Sequence, residues 1–157
     1  MTPAVAMAKK SGIFFKTHQY SHDPSHESYG EEAAEKLAVD PARVFKTLVV
    51  SLDQQSLAVA VVPVAGRLDM KAVARILKQK KVGMAEADAV QRATGYVLGG
   101  VSPLGQKRRL PTLIDDSARN FETIYVSAGR RGLELELPAD DLGRLVGAHF
   151  GTIARAS

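Results

Sequence analysis

Two apolar, β-branched runs, Val44 to Val50 and Leu57 to Pro63, are separated by the polar segment Ser51 to Ser56. Branching at Cβ suits the pleated backbone, and runs this short have strand length rather than helix length. The polar break between them predicts a hairpin. Neither run alternates cleanly between apolar and polar residues, so both strands are expected to be substantially buried. The 157 residues supply one hydrophobic core and hardly two, so a single domain over 1–157 is expected.

Caps and breakers place the other elements. Thr2 before Pro3 is an N-cap with proline at the first helical position, opening a helix through Lys10 that Gly12 stops. Ile13 to Tyr20 reads as a strand. Ser28 and Glu31 have capping-box spacing and open a helix through Leu37, with Ala33, Ala34 and Leu37 on its apolar side. Asp69 caps a helix ending near Lys78; a short strand near Val82 and a helix from Glu86 to Thr94 follow. Leu110 to Ile114 and Glu122 to Ser127 are strand candidates. Arg130, Arg131 and Gly132 turn into Leu133 to Leu137, where Leu133, Leu135 and Leu137 share one face and Glu134 and Glu136 the other. Pro138 begins a helix over Leu142, Leu145 and Val146, and Phe150 to Ala154 adds an edge strand. Strand pairs joined by polar turns and interleaved with helices describe a mixed α/β fold, not a purely parallel doubly wound sheet.

Composition narrows the function classes. The chain has no cysteine, which removes disulfides, thiolate metal ligands and a protein cysteine nucleophile. Its longest apolar stretch, Leu57 to Ala65, contains Pro63 and falls far short of the roughly 20 residues that cross a bilayer. Ala4 to Ala8 is broken by Lys9 and Lys10 and makes no signal-peptide core. A soluble intracellular protein with no membrane partner is expected. The net charge of +4 is modest. Three basic clusters suit a nucleic-acid backbone: Lys78, Lys80 and Lys81; Lys107, Arg108 and Arg109; Arg130 and Arg131. A solvated surface balanced by Glu31, Glu32 and Glu35 explains them equally well.

Lys46 is the most informative charged residue, because it interrupts a β-prone run of buried character. An unpaired ammonium is costly to desolvate, so it either reaches an anionic ligand in a pocket or snorkels at a sheet edge. The turn from Gly99 to Gly105 offers backbone donors and close approach to a ligand, or simply reverses the chain. It carries no Gly-Lys-[Ser/Thr] ending and no Gly-x-Ser-x-Gly spacing, and Ser102 has no triad partners at telling positions. His18, His22 and His26 recur at intervals of four, but a strand and Pro24 break the helical geometry a metal pair requires. A solvated polar loop is the simpler reading, and His149 beside Phe150 is structural. Asp69, Asp115, Asp116 and Glu136 are further acidic candidates; Asp69 is explained as a cap, and Glu136 faces either a polar cleft or water.

Phe45-Lys46-Thr47-Leu48-Val49, followed by the run from Thr94-Gly95-Tyr96 through Gly99-Gly100-Val101-Ser102-Pro103-Leu104-Gly105-Gln106-Lys107, resembles the YbaK/EbsC family of aminoacyl-tRNA deacylases. These are relatives of the editing domain inserted in bacterial prolyl-tRNA synthetases. The likeness extends from Thr2-Pro3-Ala4 through the His22-Asp23 loop and the helix at Glu31 to Leu37, and on to the segment Phe121 to Ser127. It implies a free-standing mixed α/β editing domain with a curved, barrel-like sheet and flanking helices, needing no metal or organic cofactor. It implies Lys46 as the catalytic residue, acting either on the reacting ester or as an anchor for the terminal phosphate, with Tyr20, Thr47, Gly100, Val101, Ser102 and Glu136 at the substrate.

The implied substrate is an aminoacyl-tRNA, above all Cys-tRNA(Pro), with Cys-tRNA(Cys) a further candidate. In that branch the cysteine side chain attacks its own carbonyl and leaves as a cyclic thioester. A chain without cysteine or a serine triad accommodates such substrate assistance. Prolyl-tRNA synthetase is the implied protein partner and the cytoplasm the implied compartment. Two alternatives stand beside this reading: a deacylase for Ala-tRNA or another small aminoacyl-tRNA, and a non-catalytic module that binds tRNA or a synthetase.

Overall fold

In the computed structural model, which describes residues 1–26 and 29–156, the expected hairpin forms. Strands β2 (Phe45–Ser51) and β3 (Leu57–Pro63) pair antiparallel without a break, from Phe45 opposite Pro63 to Ser51 opposite Leu57. The remaining strands are β1 (Lys16–Gln19), β4 (Gly66–Leu68), β5 (Gly83–Met84), β6 (Thr112–Asp115), β7 (Ile124–Arg130), β8 (Leu133–Leu137), β9 (His149–Gly151) and β10 (Ala154–Ala156). The helices are α1 (Pro3–Ser11), α2 (Tyr29–Leu37), α3 (Met70–Leu77), α4 (Ala87–Thr94) and α5 (Ala139–Val146).

The near-continuous apolar character of the hairpin has a direct cause: both of its faces are covered. Phe45, Val49, Val59 and Val61 pack with α1, α4, α5 and the leucines of β8. Val50, Ala58, Ala60 and Val62 pack on the other side against Ala72 and Val73 of α3, Leu113 and Ile153. Each such branched side chain contributes roughly 1.5–3 kcal/mol when fully buried. β3 therefore sits inside a mixed five-stranded sheet of order β5-β2-β3-β6-β9, with β6 parallel to both β3 and β9.

A second, antiparallel sheet has the order β1-β8-β7, and β10 pairs with β4 in a third. Among the described residues none of these sheets closes, so the barrel-like part of the expectation is not confirmed. The reason lies along the outer edge of β2. β5 covers only Val50 and Ser51, and β7 meets the chain at a single parallel bridge between Val44 and Tyr125.

Most helix boundaries follow the local signals. The Thr2 hydroxyl accepts from the Val5 amide and Gly12 closes α1 in the left-handed conformation. Asp69 caps α3 by accepting from the Ala72 amide. The capping box expected at Ser28 lies outside the described residues. The β4–β10 pairing was not expected from sequence; Asp69 N–H donates to the Ile153 carbonyl at 2.7 Å alongside it. No helix among the described residues is long and apolar enough to cross a membrane.

Candidate active site

The stretch of β2 edge left open between β5 and the Val44 bridge is where the chain forms a cleft of about 320 Å³. One wall is Phe45, Lys46, Thr47 and Leu48 of β2; the opposite wall includes Ser127 and Glu134. Leu98, Gly99 and Val101 of the glycine turn, Tyr20, and Arg130 with Arg131 complete the rim. The strand's own alternation aims polar groups here. Val44 gives its carbonyl to the Val64 amide and Val49 gives its own to the Ala85 amide, on opposite sides, so Thr47 directs its backbone groups toward the open edge. The Thr47 hydroxyl is buried and has no hydrogen-bond partner among the described residues. A buried unpaired hydroxyl costs free energy unless a ligand or a water molecule satisfies it.

Lys46 and Glu134 set the electrostatics. Lys46 is half-buried; burial lowers its pKa from the ordinary lysine value, and Glu31 on α2 opposes that shift. Its ammonium donates to the Gly66 carbonyl at 2.9 Å. Glu134 is 6% exposed, and burial alone pushes its carboxyl up to about 8. Tyr20 donates its amide to the Gly132 carbonyl at 3.0 Å, and its hydroxyl pKa is raised by burial and then by Glu134. A cation, a protonatable carboxyl and an unsatisfied hydroxyl thus line one cleft that is otherwise largely apolar.

The glycine turn is a braced wall. The Tyr96 hydroxyl donates to the Leu104 carbonyl at 2.6 Å, closing the base of the turn. Gly100 is buried against β7, where a Cβ would stand 3.0 Å from the Arg130 Cα, so the turn approaches the strand only through glycine. Ser102 is fully buried and its hydroxyl accepts from the Leu104 amide at 3.2 Å, which makes it a brace within the turn. Of the turn residues named from sequence, Val101 lines the cleft, while Gly100 and Ser102 support it from behind.

Glu136 lies outside the cleft. Thr123 donates its hydroxyl to it at 2.5 Å, His18 approaches to 2.9 Å and Arg43 to 3.6 Å. Burial works against its ionisation, but Thr123 and His18 outweigh it and hold its pKa below the ordinary value. The residue on that face that reaches the cleft is Glu134, one step of the pleat away. Alternation marked both glutamates as facing away from the leucines; nothing local told them apart.

Glu32, which the sequence suggests as part of a solvated acidic face, is fully buried. His22 Nδ1 meets it at 2.6 Å, the Asp23 amide donates at 2.7 Å and Lys36 pairs at 3.1 Å. Burial opposes its charge, yet these partners together bring its pKa down to about 2. The network ties the loop that follows Tyr20 to α2. His18 and His26 likewise pair with glutamates, Glu136 and Glu35. Asp115 is buried and accepts the Ile153 and Ala154 amides at 2.9 Å, while Asp116 accepts the Thr152 hydroxyl. His149 is exposed on β9.

The three basic clusters separate in space. Arg130 and Arg131 stand at the cleft itself. Arg108 and Arg109 line a different cavity, of about 130 Å³, with Met7 and Pro103. The Lys80 and Lys81 amides bind the Asp53 carboxylate at 2.9 and 3.0 Å, beside the hairpin turn. That end of β2 is roughly 17 Å from Lys46 at the usual strand rise.

Comparison with known proteins gives the lineage of the chain. The model of the aminoacyl-tRNA editing domain matches residues 23–145. A protein of Enterococcus faecalis, named as a candidate Cys-tRNA(Pro)/Cys-tRNA(Cys) deacylase, EbsC, is 34% identical over 152 residues, covering 97% of this chain and 92% of its own. Among solved structures, a candidate trans-editing enzyme for prolyl tRNA synthetase superposes with a TM-score of 0.84 at 20% identity, over 99% of both chains. The hypothetical protein APE2540 superposes with a TM-score of 0.87 at 23% identity, over 98% of this chain and 99% of its own. The two structures share the fold; the family match and the EbsC likeness carry the lineage, and the chain belongs to the aminoacyl-tRNA editing domain family.

Proposed function

We propose that this chain is a trans-acting deacylase of Cys-tRNA(Pro), accepting Cys-tRNA(Cys) as well, and that the Lys46 cleft is its active site. The observation that carries the reading is the joining of Lys46, the unsatisfied Thr47 hydroxyl and the buried Glu134 in one cleft whose lining includes no cysteine. An aminoacyl ester brings a carbonyl that becomes negative on attack, and an α-ammonium. Lys46 is the donor for the developing oxyanion. Glu134 is the acceptor for the α-ammonium, whose charge draws the carboxyl into its ionised form on binding. Thr47 holds the ester in register.

The nucleophile comes from the substrate. The cysteine sulfur, as thiolate, attacks its own carbonyl carbon; a C–S bond forms and the C–O bond to the ribose breaks. The thiol proton ends on the released ribose hydroxyl, and the amino acid leaves as a cyclic thioester. The protein contributes position and charge rather than a covalent partner. Arg130 and Arg131 at the cleft mouth are placed for the phosphates next to the terminal nucleotide, and prolyl-tRNA synthetase would supply tRNA selection in a cytoplasmic complex.

Deacylation of purified Cys-tRNA(Pro), Ala-tRNA(Pro) and Pro-tRNA(Pro) tests this. Loss of the cysteine ester with a cyclic thioester as first product is expected. Free cysteine as first product would replace the thiol mechanism by water attack, and preferential loss of alanine would move the substrate. Lys46→Ala is expected to lower turnover by roughly a hundredfold or more, in the range of losing an oxyanion donor, with the fold retained by circular dichroism.

A further inference from the structure

Lys46 projects from the face of β2 that carries Leu48 and Val50, and the Gly66 carbonyl meets its ammonium at 2.9 Å. An ammonium has three donors, so two remain for a ligand. The carbonyl compensates part of the hydration lost on burial and fixes the direction of a flexible four-carbon stem. Glu31 on α2 acts on the same charge, and Tyr20, Glu134, Arg130 and Arg131 line the space into which it points.

The direction of that carbonyl is set by β10. Asp69 N–H donates to the Ile153 carbonyl, which makes Asp69 and Ile153 a hydrogen-bonded pair. Antiparallel alternation makes Arg67 with Arg155 the next bonded pair and leaves Gly66 with Ala156 non-bonded. Gly66 therefore turns its carbonyl away from β10 and toward Lys46. A Cβ on Gly66 would stand 2.9 Å from the Arg155 carbonyl oxygen, so only glycine allows the two backbones to lie this close. β10 is anchored in turn by the buried Asp115, which accepts the Ile153 and Ala154 amides.

We propose that β10 is the positioning element for Lys46: Asp115 anchors the strand, the strand fixes β4, and the Gly66 carbonyl of β4 aims the ammonium into the cleft. The inference rests on the reading of Lys46 as the group that acts on the ester. It predicts that a ladder distant in sequence from Lys46 controls turnover without touching substrate.

The test uses the full chain with lysine side chains labelled by ¹³C at Cε and ¹⁵N at Nζ, the Lys46 signal being assigned through Lys46→Arg. Arg155→Pro removes the ladder amide, whereas Arg155→Ala removes only an exposed side chain and keeps it. Arg155→Pro and Gly66→Ala are expected to move the Lys46 resonance while the other lysine signals stay. They should lower kcat roughly ten- to a hundredfold, the scale of a misplaced catalytic group. KM should stay within about twofold. Arg155→Ala should do neither. Asp115→Asn, which keeps one acceptor oxygen, gives a milder displacement read in the same way, and serves if the stronger variants do not fold. An unmoved Lys46 resonance with unchanged kcat in the folded variants overturns the proposal. Full turnover by Lys46→Ala, with the resonance still displaced in Arg155→Pro, would instead remove Lys46 from catalysis and leave the positioning intact.

Discussion

Glu134 is protonated at neutral pH in the free protein, because burial pushes its carboxyl up to about 8 from an ordinary 4.5. The folded chain thus binds this proton more tightly than the unfolded one. Its contribution is complete below about pH 4.5 and is lost as pH rises through about 8. Glu134→Gln keeps the neutral shape, so its melting temperature should decline less on the alkaline side than that of the parent; parallel slopes from about pH 5 to about pH 9 would contradict the assignment. Glu32 has the opposite sign. Its pKa falls from 4.5 to about 2, so its stabilisation is present above about pH 4.5 and disappears as pH falls through about 2. Glu32→Gln should cost roughly 1–3 kcal/mol in urea denaturation, the range for leaving buried partners poorly satisfied. These two residues also show where sequence reading stops. Alternation along β8 gives the face of Glu134 and Glu136 but not which one meets the cleft. That depends on His18, Thr123 and Arg43, which arrive from three other segments to claim Glu136.

At the scale of elements, α2 forms part of the cleft border through Gly30, and its seam with the end of β3 is tight. A Cβ on Gly30 would stand 2.2 Å from Val64 Cγ1. Glycine to alanine inside a helix ordinarily gains about 1 kcal/mol. Here Gly30→Ala should instead cost roughly 1–3 kcal/mol by overpacking, since the β-branched Val64 has little freedom to move. Adding Val64→Ala should recover part of that loss; equal melting temperatures for single and double variants would show the seam to be loose. The β2–β3 hairpin and the Thr2 and Asp69 caps were legible because their causes lie within a few residues. β4 and β10 were not, since each spans three residues and is defined only by a partner far along the chain. The Lys46 and Thr47 wall was visible as an anomaly in an apolar strand; the opposite wall was hidden because Ser127 and Glu134 look like ordinary outward-facing strand residues.

For the molecule as a whole, the proposed function and the separation of the basic clusters together predict a preferred side for RNA. Removing Arg130 and Arg131 together should reduce the salt slope of tRNA binding by about 1–2, as expected for one or two lost phosphate contacts. Removing Lys78, Lys80 and Lys81 should change it less, although three charges go. Fluorescence anisotropy with an unacylated transcript across a salt series checks this, and a larger effect from the lysine triple would place the RNA on the hairpin end instead.

Among the described residues, the backbone bridge between the two larger sheets joins Val44, just before β2, to Tyr125 of β7, directly beside the cleft. The aperture of the pocket is consequently an angle between two plates as much as a property of the side chains that face it. On the proposed function, a substitution deep in either plate that tilts one on the other is expected to alter which amino acid the cleft admits. Selectivity would then be free to diverge between relatives whose lining residues are identical, and matching those residues alone would not predict which ester a given relative cleaves.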